Sequence, residues 1–315
     1  MYIEQAFKFK HEVWRYLLGT LVVFILGWQF IGVIPLGIVS WLKASNAEEF
    51  VIASETAFSS LFSLKSNLYL FLMLLTFLGG FVTLLAVIKF LHHQSFLQLT
   101  TSRKKIDWKR FFFGFGIIAF LSITLTALDF YNNPDNYLIQ FEWKSFSIMF
   151  LIAIVFIPLQ TSFEEYFFRG YLMQGIGIAA RNKWIPLLLT SIVFGSLHFF
   201  NPEVDKIGNI AMIYYIGTGL FLGIITLMDE GMELSLGFHA GTNLTIVLLV
   251  TSDWTVFQTN SILLDLSDPS KGIEVVLPVF IVYPVLLAMM AWKYKWIDWQ
   301  GKLFGKVSPL KKDSI

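Results

Sequence analysis

The chain is expected to fold as an all-α, polytopic transmembrane helical bundle of about eight helices, and three observations predict it. The 315 residues are 56% hydrophobic and only 14% charged, with a mean hydropathy of +0.67, where a typical soluble domain carries about 25% charged residues. Apolar stretches near the roughly 20 residues needed to cross ~30 Å of hydrocarbon recur along the whole chain. These stretches are continuous rather than alternating, so strands are not expected, and an open sheet edge cannot face lipid.

Taken in order, the spans fall near residues 14–40, 67–91, 110–130, 145–168, 184–200, 208–228, 232–251 and 274–294. The first run, Trp14 to Trp41, is much longer than a signal-peptide core of about 7–15 residues and reads as a retained helix. Lysine and arginine concentrate in the 89–110 connection (Lys89, Arg103, Lys104, Lys105, Lys109, Arg110), in 169–183 (Arg169, Arg181, Lys183) and in the C-terminal tail (Lys293, Lys295, Lys302, Lys306, Lys311, Lys312). Connections near 42–66, 131–144, 201–207 and 252–273 are poorer in both, and 42–66 and 252–273 read as ordinary extramembrane loops. The positive-inside rule then puts both termini in the cytoplasm, with the chain integral to the cytoplasmic (plasma) membrane. The short acidic turn Asp229, Glu230, Glu233 falls on the same side. Gly219 and Gly223 form a small-xxx-small pair suited to helix packing. No fixed repeat, low-complexity tract or soluble domain interrupts 1–315, which reads as a single integral membrane domain.

The same composition excludes several kinds of chemistry. There is no cysteine, which removes disulfides, thiol catalysis and thiolate metal ligands. A net charge of +1 gives no reason to expect a nucleic-acid partner. The partners to expect are the lipid bilayer and whatever the polar groups within it handle.

Ionisable residues inside a membrane helix are costly, so each is a candidate functional group. His11, His92 and His93 lie in or beside polar connections and are expected to be solvated or interfacial. His198, in "FGSLHFF", and His239, in "GFHAGTN", sit in apolar helices. Asn243 follows His239 by four residues and shares its helix face. In "FEEYFFRGYL", residues 163–172, Glu165 and Arg169 have the spacing of an ion pair along one helix. Glu164 points about 100° away from them. If Arg181, Asn182 and Lys183 cap a helical hairpin, Glu164 and His198 stand equally far from its tip, facing one another.

A carboxylate and two imidazoles without a protein nucleophile suit the activation of water. Poorly hydrated surroundings make a carboxylate a better general base, and an imidazole and an amide can donate to an oxyanion. The same atoms permit a second reading: two histidines and a glutamate with an open position match catalytic zinc ligation.

Glu164-Glu165-x-x-x-Arg169, Phe194-x-x-x-His198 and His239-x-x-x-Asn243, in that order and with "RGYL" after the first, resemble the three-motif signature of the CAAX prenyl protease and bacteriocin-processing family (CPBP, Abi). These are intramembrane proteases related to the type II CAAX prenyl endopeptidase. The resemblance covers roughly 145–250, which would be the catalytic core. It implies an endopeptidase in which Glu164 and His198 activate water, His239 and Asn243 form the oxyanion hole, and Glu165 and Arg169 support them. It leaves open a zinc enzyme, with Zn2+ on His198, His239 and Glu164. The implied partner is a peptide or membrane-protein substrate. A non-proteolytic immunity or regulatory membrane protein of the same fold, binding a peptide or membrane partner, is the alternative. A transporter using the cluster as a proton relay is disfavoured by the lack of repeats or paired broken helices.

Overall fold

The structure is a computed structural model and describes residues 1–309. Eight long helical segments follow the apolar runs: α1 Val13–Lys43, α2 Asn67–Leu91, α3 Trp108–Asn132, α4 Trp143–Ala180, α5 Trp184–Ser196, α6 Ala211–Asp229, α7 Glu233–Leu249 and α8 Ile273–Tyr294. Six of these are long and apolar enough to cross a membrane, and the chain is a multi-pass, all-α membrane protein. The helices bury unequal shares of their surface. α3 keeps most of its side chains on the outside, whereas half of α6 and nearly all of the first half of α7 are buried.

Small residues set the closest helix contacts. A Cβ on Gly219 would lie 2.9 Å from the carbonyl oxygen of Ser191, and one on Gly223 would lie 2.5 Å from Leu187. The expected packing role of this pair is therefore met by α5. Gly114 and Gly237 play the same part between α3 and α7, each set against backbone of the other helix.

α4 is the longest segment and the one that organises the centre. Its regular helix ends at Glu165, continues as a π-helical stretch over Tyr166–Leu172 and returns to α geometry for Met173–Ala180. Arg181 adopts a left-handed conformation (φ +56°), and α5 starts three residues later. The anticipated hairpin tip at 181–183 is present.

Both ends of the described chain meet at one end of the bundle. Tyr2 donates to the carbonyl of Leu99 (2.6 Å), and the Val307 amide donates to the carbonyl of Arg181 (3.0 Å). The Met232 amide reaches the carbonyl of Thr100 (2.9 Å). The basic 89–110 connection, the hairpin tip and the acidic 229–233 turn thus share this end. At the opposite end, Asn260 donates to Asn67 (3.0 Å) and Gln140 donates to Ser261 (3.0 Å).

Three expectations are corrected. Strands do occur: β1 Tyr137–Ile139, β2 Val250–Thr251 and β3 Leu263–Asp265 form a small sheet in the order β1-β3-β2. Each is two or three residues long, too short for an alternating pattern to show. The 42–66 connection is not plain loop, since Ala47–Ser54 is a helix whose Asn46 side chain caps the Glu49 amide (2.9 Å). His92 is fully buried rather than interfacial; its ring nitrogens lie 2.7 Å from the carbonyl of Lys10 and 3.0 Å from the Tyr171 hydroxyl.

Candidate active site

The last turn of α4 before its π-helical stretch carries Glu164 and Glu165 on different faces. Glu165 turns inward and is fully buried, as is Arg169, whose Nη1 donates to Glu165 Oε1 at 2.8 Å. Arg169 Nη2 also donates to the carbonyl of Gly219 (3.2 Å), and the guanidinium lies 4.2 Å from the centre of the Phe194 ring. The helical pair expected from the four-residue spacing is therefore formed, and it is anchored to α5 and α6 as well.

Glu165 does more than neutralise Arg169. His239 Nδ1 lies 2.9 Å from the same Glu165 oxygen, and His239 Nε2 lies 3.5 Å from Glu164 Oε2. A carboxylate paired with arginine can only accept, so Nδ1–H is the donor. That leaves Nε2 as the nitrogen that exchanges a proton with its surroundings. At 3.5 Å its contact with Glu164 is longer than a well-formed hydrogen bond, so each group can also engage a third partner. Arg169, Glu165, His239 and Glu164 thus form a connected series from the fully buried interior to a cavity.

That cavity has a volume of about 330 Å³ and is lined by Glu164, His198, His239 and Asn243 together with Gln160, Phe194, Glu203 and Tyr215, among others. Asn243 is half-buried and donates one amide proton to Gln160 Oε1 (3.2 Å). Its second N–H remains for another acceptor. His198 sits just beyond the end of α5 and donates through Nδ1 to the carbonyl of Phe194 (2.9 Å), while its ring stacks on Tyr215 at 4.3 Å. The structure thus brings all four expected reactive side chains to one chamber. It pairs Glu164 with His239 rather than with His198. The Phe194 ring packs against both imidazoles, 4.9 Å from His198 and 5.9 Å from His239.

Among the described residues, no group of three His, Cys, Asp or Glu side chains is arranged to hold a metal ion. Glu164, His198 and His239 as placed do not fit a zinc ion.

Gln160, Tyr215 and Glu203 are among the lining residues that the sequence reading does not single out. Gln160 precedes Glu164 by four residues and shares its face, a signal the spacing offered. Tyr215 gave none, being one aromatic residue in an apolar run. Glu203 lies in the 201–207 connection, where an acidic residue is unremarkable.

Fold and site together define a multi-pass helical membrane protein with a charged chamber in its core. Comparison with known proteins gives a likeness: residues 143–245 match the model of the family described as Type II CAAX prenyl endopeptidase Rce1-like. The chain is also 36% identical over 174 residues to "Uncharacterized protein YyaK" of Bacillus subtilis (strain 168), a similarity covering 54% of this chain and 57% of that protein. The chain thus spans little more than half the length of that relative. No solved structure matches.

Proposed function

We propose that the protein is an intramembrane endopeptidase that hydrolyses a peptide bond of a membrane-associated or peptide substrate with water activated at Glu164. The observation that carries this reading is the series Arg169–Glu165–His239–Glu164 ending in a chamber that also holds His198 and Asn243. The Rce1-like match over 143–245 supports it. We place the termini in the cytoplasm and the bundle in the plasma membrane, on the distribution of lysine and arginine.

In this mechanism Glu164 accepts a proton from water as the water oxygen attacks the scissile carbonyl carbon. The carbonyl electron pair moves onto oxygen. The second N–H of Asn243, and Nε2–H of His239 when that nitrogen is protonated, donate to the resulting oxyanion. Each such donor is typically worth about 10²–10³ in rate. The proton held by Glu164 passes to the departing nitrogen as the C–N bond breaks, leaving a carboxyl group and an amine. His198, fixed through Nδ1, offers Nε2 as a second proton carrier. Glu165 and Arg169 act through His239, holding its tautomer and orientation, and are positioning residues.

The test is hydrolysis in ¹⁸O-enriched water. Protein in liposomes is mixed with single-span peptides, and the products are weighed by mass spectrometry. Wild type is expected to give two fragments with ¹⁸O in the new carboxyl group, and Glu164→Gln to give none. Intact peptides with wild type, or equal cleavage by both proteins, would remove the proposal; a binding protein tolerates the glutamine.

A further inference from the structure

Glu203 is a charged group in the chamber that the proposed hydrolysis does not use. It lies in the short helix Pro202–Ile207 between α5 and α6 and lines the chamber together with Val256 and Phe257. Its Oε1 accepts the Val256 amide at 2.8 Å, which fixes the side chain across the connection. Its Oε2 is buried and has no hydrogen-bond partner. A buried carboxylate oxygen without a donor carries a desolvation cost that a bound donor relieves. Burial raises the Glu203 pKa above the ordinary carboxylate range, against the opposing pull of the Val256 amide.

The rest of the wall points the same way. Among the described residues, those lining the chamber include two carboxylates, Glu164 and Glu203, and no lysine or arginine. Arg169, whose guanidinium lies 4.2 Å from the ring of the lining residue Phe194, is fully buried and already held by Glu165 and Gly219. Tyr214, Tyr215 and Phe257 add aromatic surface, which favours a cation over an anion. A substrate anion would meet two carboxylates here; a substrate ammonium or guanidinium would meet a fixed acceptor.

We propose that Glu203 is a specificity determinant that receives a lysine or arginine side chain of the substrate, so that the chamber selects apolar peptides carrying one basic residue near the scissile bond. The inference rests on the chamber being a peptide site, as in the endopeptidase reading, but its test does not require turnover. Two apolar fluorescent peptides, identical except for lysine or norleucine at a central position, are titrated against the full chain in zwitterionic nanodiscs, which removes attraction to lipid charge. Wild type is expected to bind the lysine peptide about tenfold more tightly, the scale of one charge-assisted hydrogen bond. Glu203→Gln, which keeps an acceptor for the Val256 amide, is expected to abolish the difference, and Glu203→Lys to reverse it toward a glutamate peptide. Equal binding of both peptides by wild type, or a preference that survives in Glu203→Gln, overturns the assignment. If the lysine preference is present and lost in Glu203→Gln while no peptide is cleaved, this inference stands and the endopeptidase reading fails.

Discussion

Two buried groups of charge share α7 and differ in how completely they are satisfied. At the end of the bundle where the chain termini meet, Asp229 and Glu233 are held by two arginines. Arg103 donates to Asp229 at 2.8 Å and to Glu233 at 2.9 Å, Arg110 pairs with Asp229, and the Trp296 indole adds a bond at 3.1 Å. The Asp107 backbone amide also donates to Glu233 Oε1 (3.2 Å). Both arginines remain partly exposed, at 25% and 20%. Six residues further along α7, the other group has one fully buried arginine for two carboxylates. Glu165 Oε2 and Arg169 Nε lack partners, and Glu164 faces the chamber. The first group is closed and ties connections together. The second is left open on one side, which is what a group that must exchange protons requires. Burial of charge alone therefore does not mark a site; an unfinished set of partners beside a cavity does.

The contrast can be broken by substitution. The largest effect should come from Glu164→Gln. Loss of a general base typically removes about 10²–10⁴ in rate, and a fall near 10³-fold in peptide cleavage is expected, read by fragment release. Arg169→Met should act mainly on stability. It leaves the buried Glu165 with His239 but without its arginine counter-charge, a loss of about 3–5 kcal/mol, seen as a lower thermal midpoint in detergent. The double variant Glu165→Gln/Arg169→Met should recover much of that stability without recovering cleavage. At the other group, Asp229→Asn keeps the shape but weakens hydrogen bonds to charged partners, a cost of about 1–3 kcal/mol, with the cleavage rate within about twofold of wild type. The smallest effect is expected from chelation: dialysis against a zinc chelator should leave cleavage unchanged. Activity lost on dialysis and restored by zinc would mean that Glu164, His198 and His239 converge further than they do in this structure.

Much of the architecture was legible because a membrane forces it to be. A helix must present about 20 apolar residues to cross, and the eight runs read from the sequence correspond to the eight segments. The Glu165–Arg169 pair was legible for a similar reason, since four-residue spacing fixes two side chains on one helix face. What could not be read depends on contacts between distant parts of the chain. His239 and Glu165 are 74 residues apart, and only packing of α7 on α4 makes Glu165 the partner that orients the imidazole. The same holds for His92, whose hydrogen bonds go to Lys10 and Tyr171. The small sheet joins segments from either side of α7 and leaves no pattern in any one of them.

The central claim is that the open group is chemical and the closed one structural. Cleavage rate and thermal midpoint measured side by side on Glu164→Gln and Asp229→Asn test it most directly. Glu164→Gln is expected to lose nearly all cleavage while its midpoint holds or rises, and Asp229→Asn to lose midpoint while cleaving normally at a permissive temperature. If Glu164→Gln cleaves at the wild-type rate, or if both variants lose activity only in proportion to stability, the distinction between the two groups is contradicted.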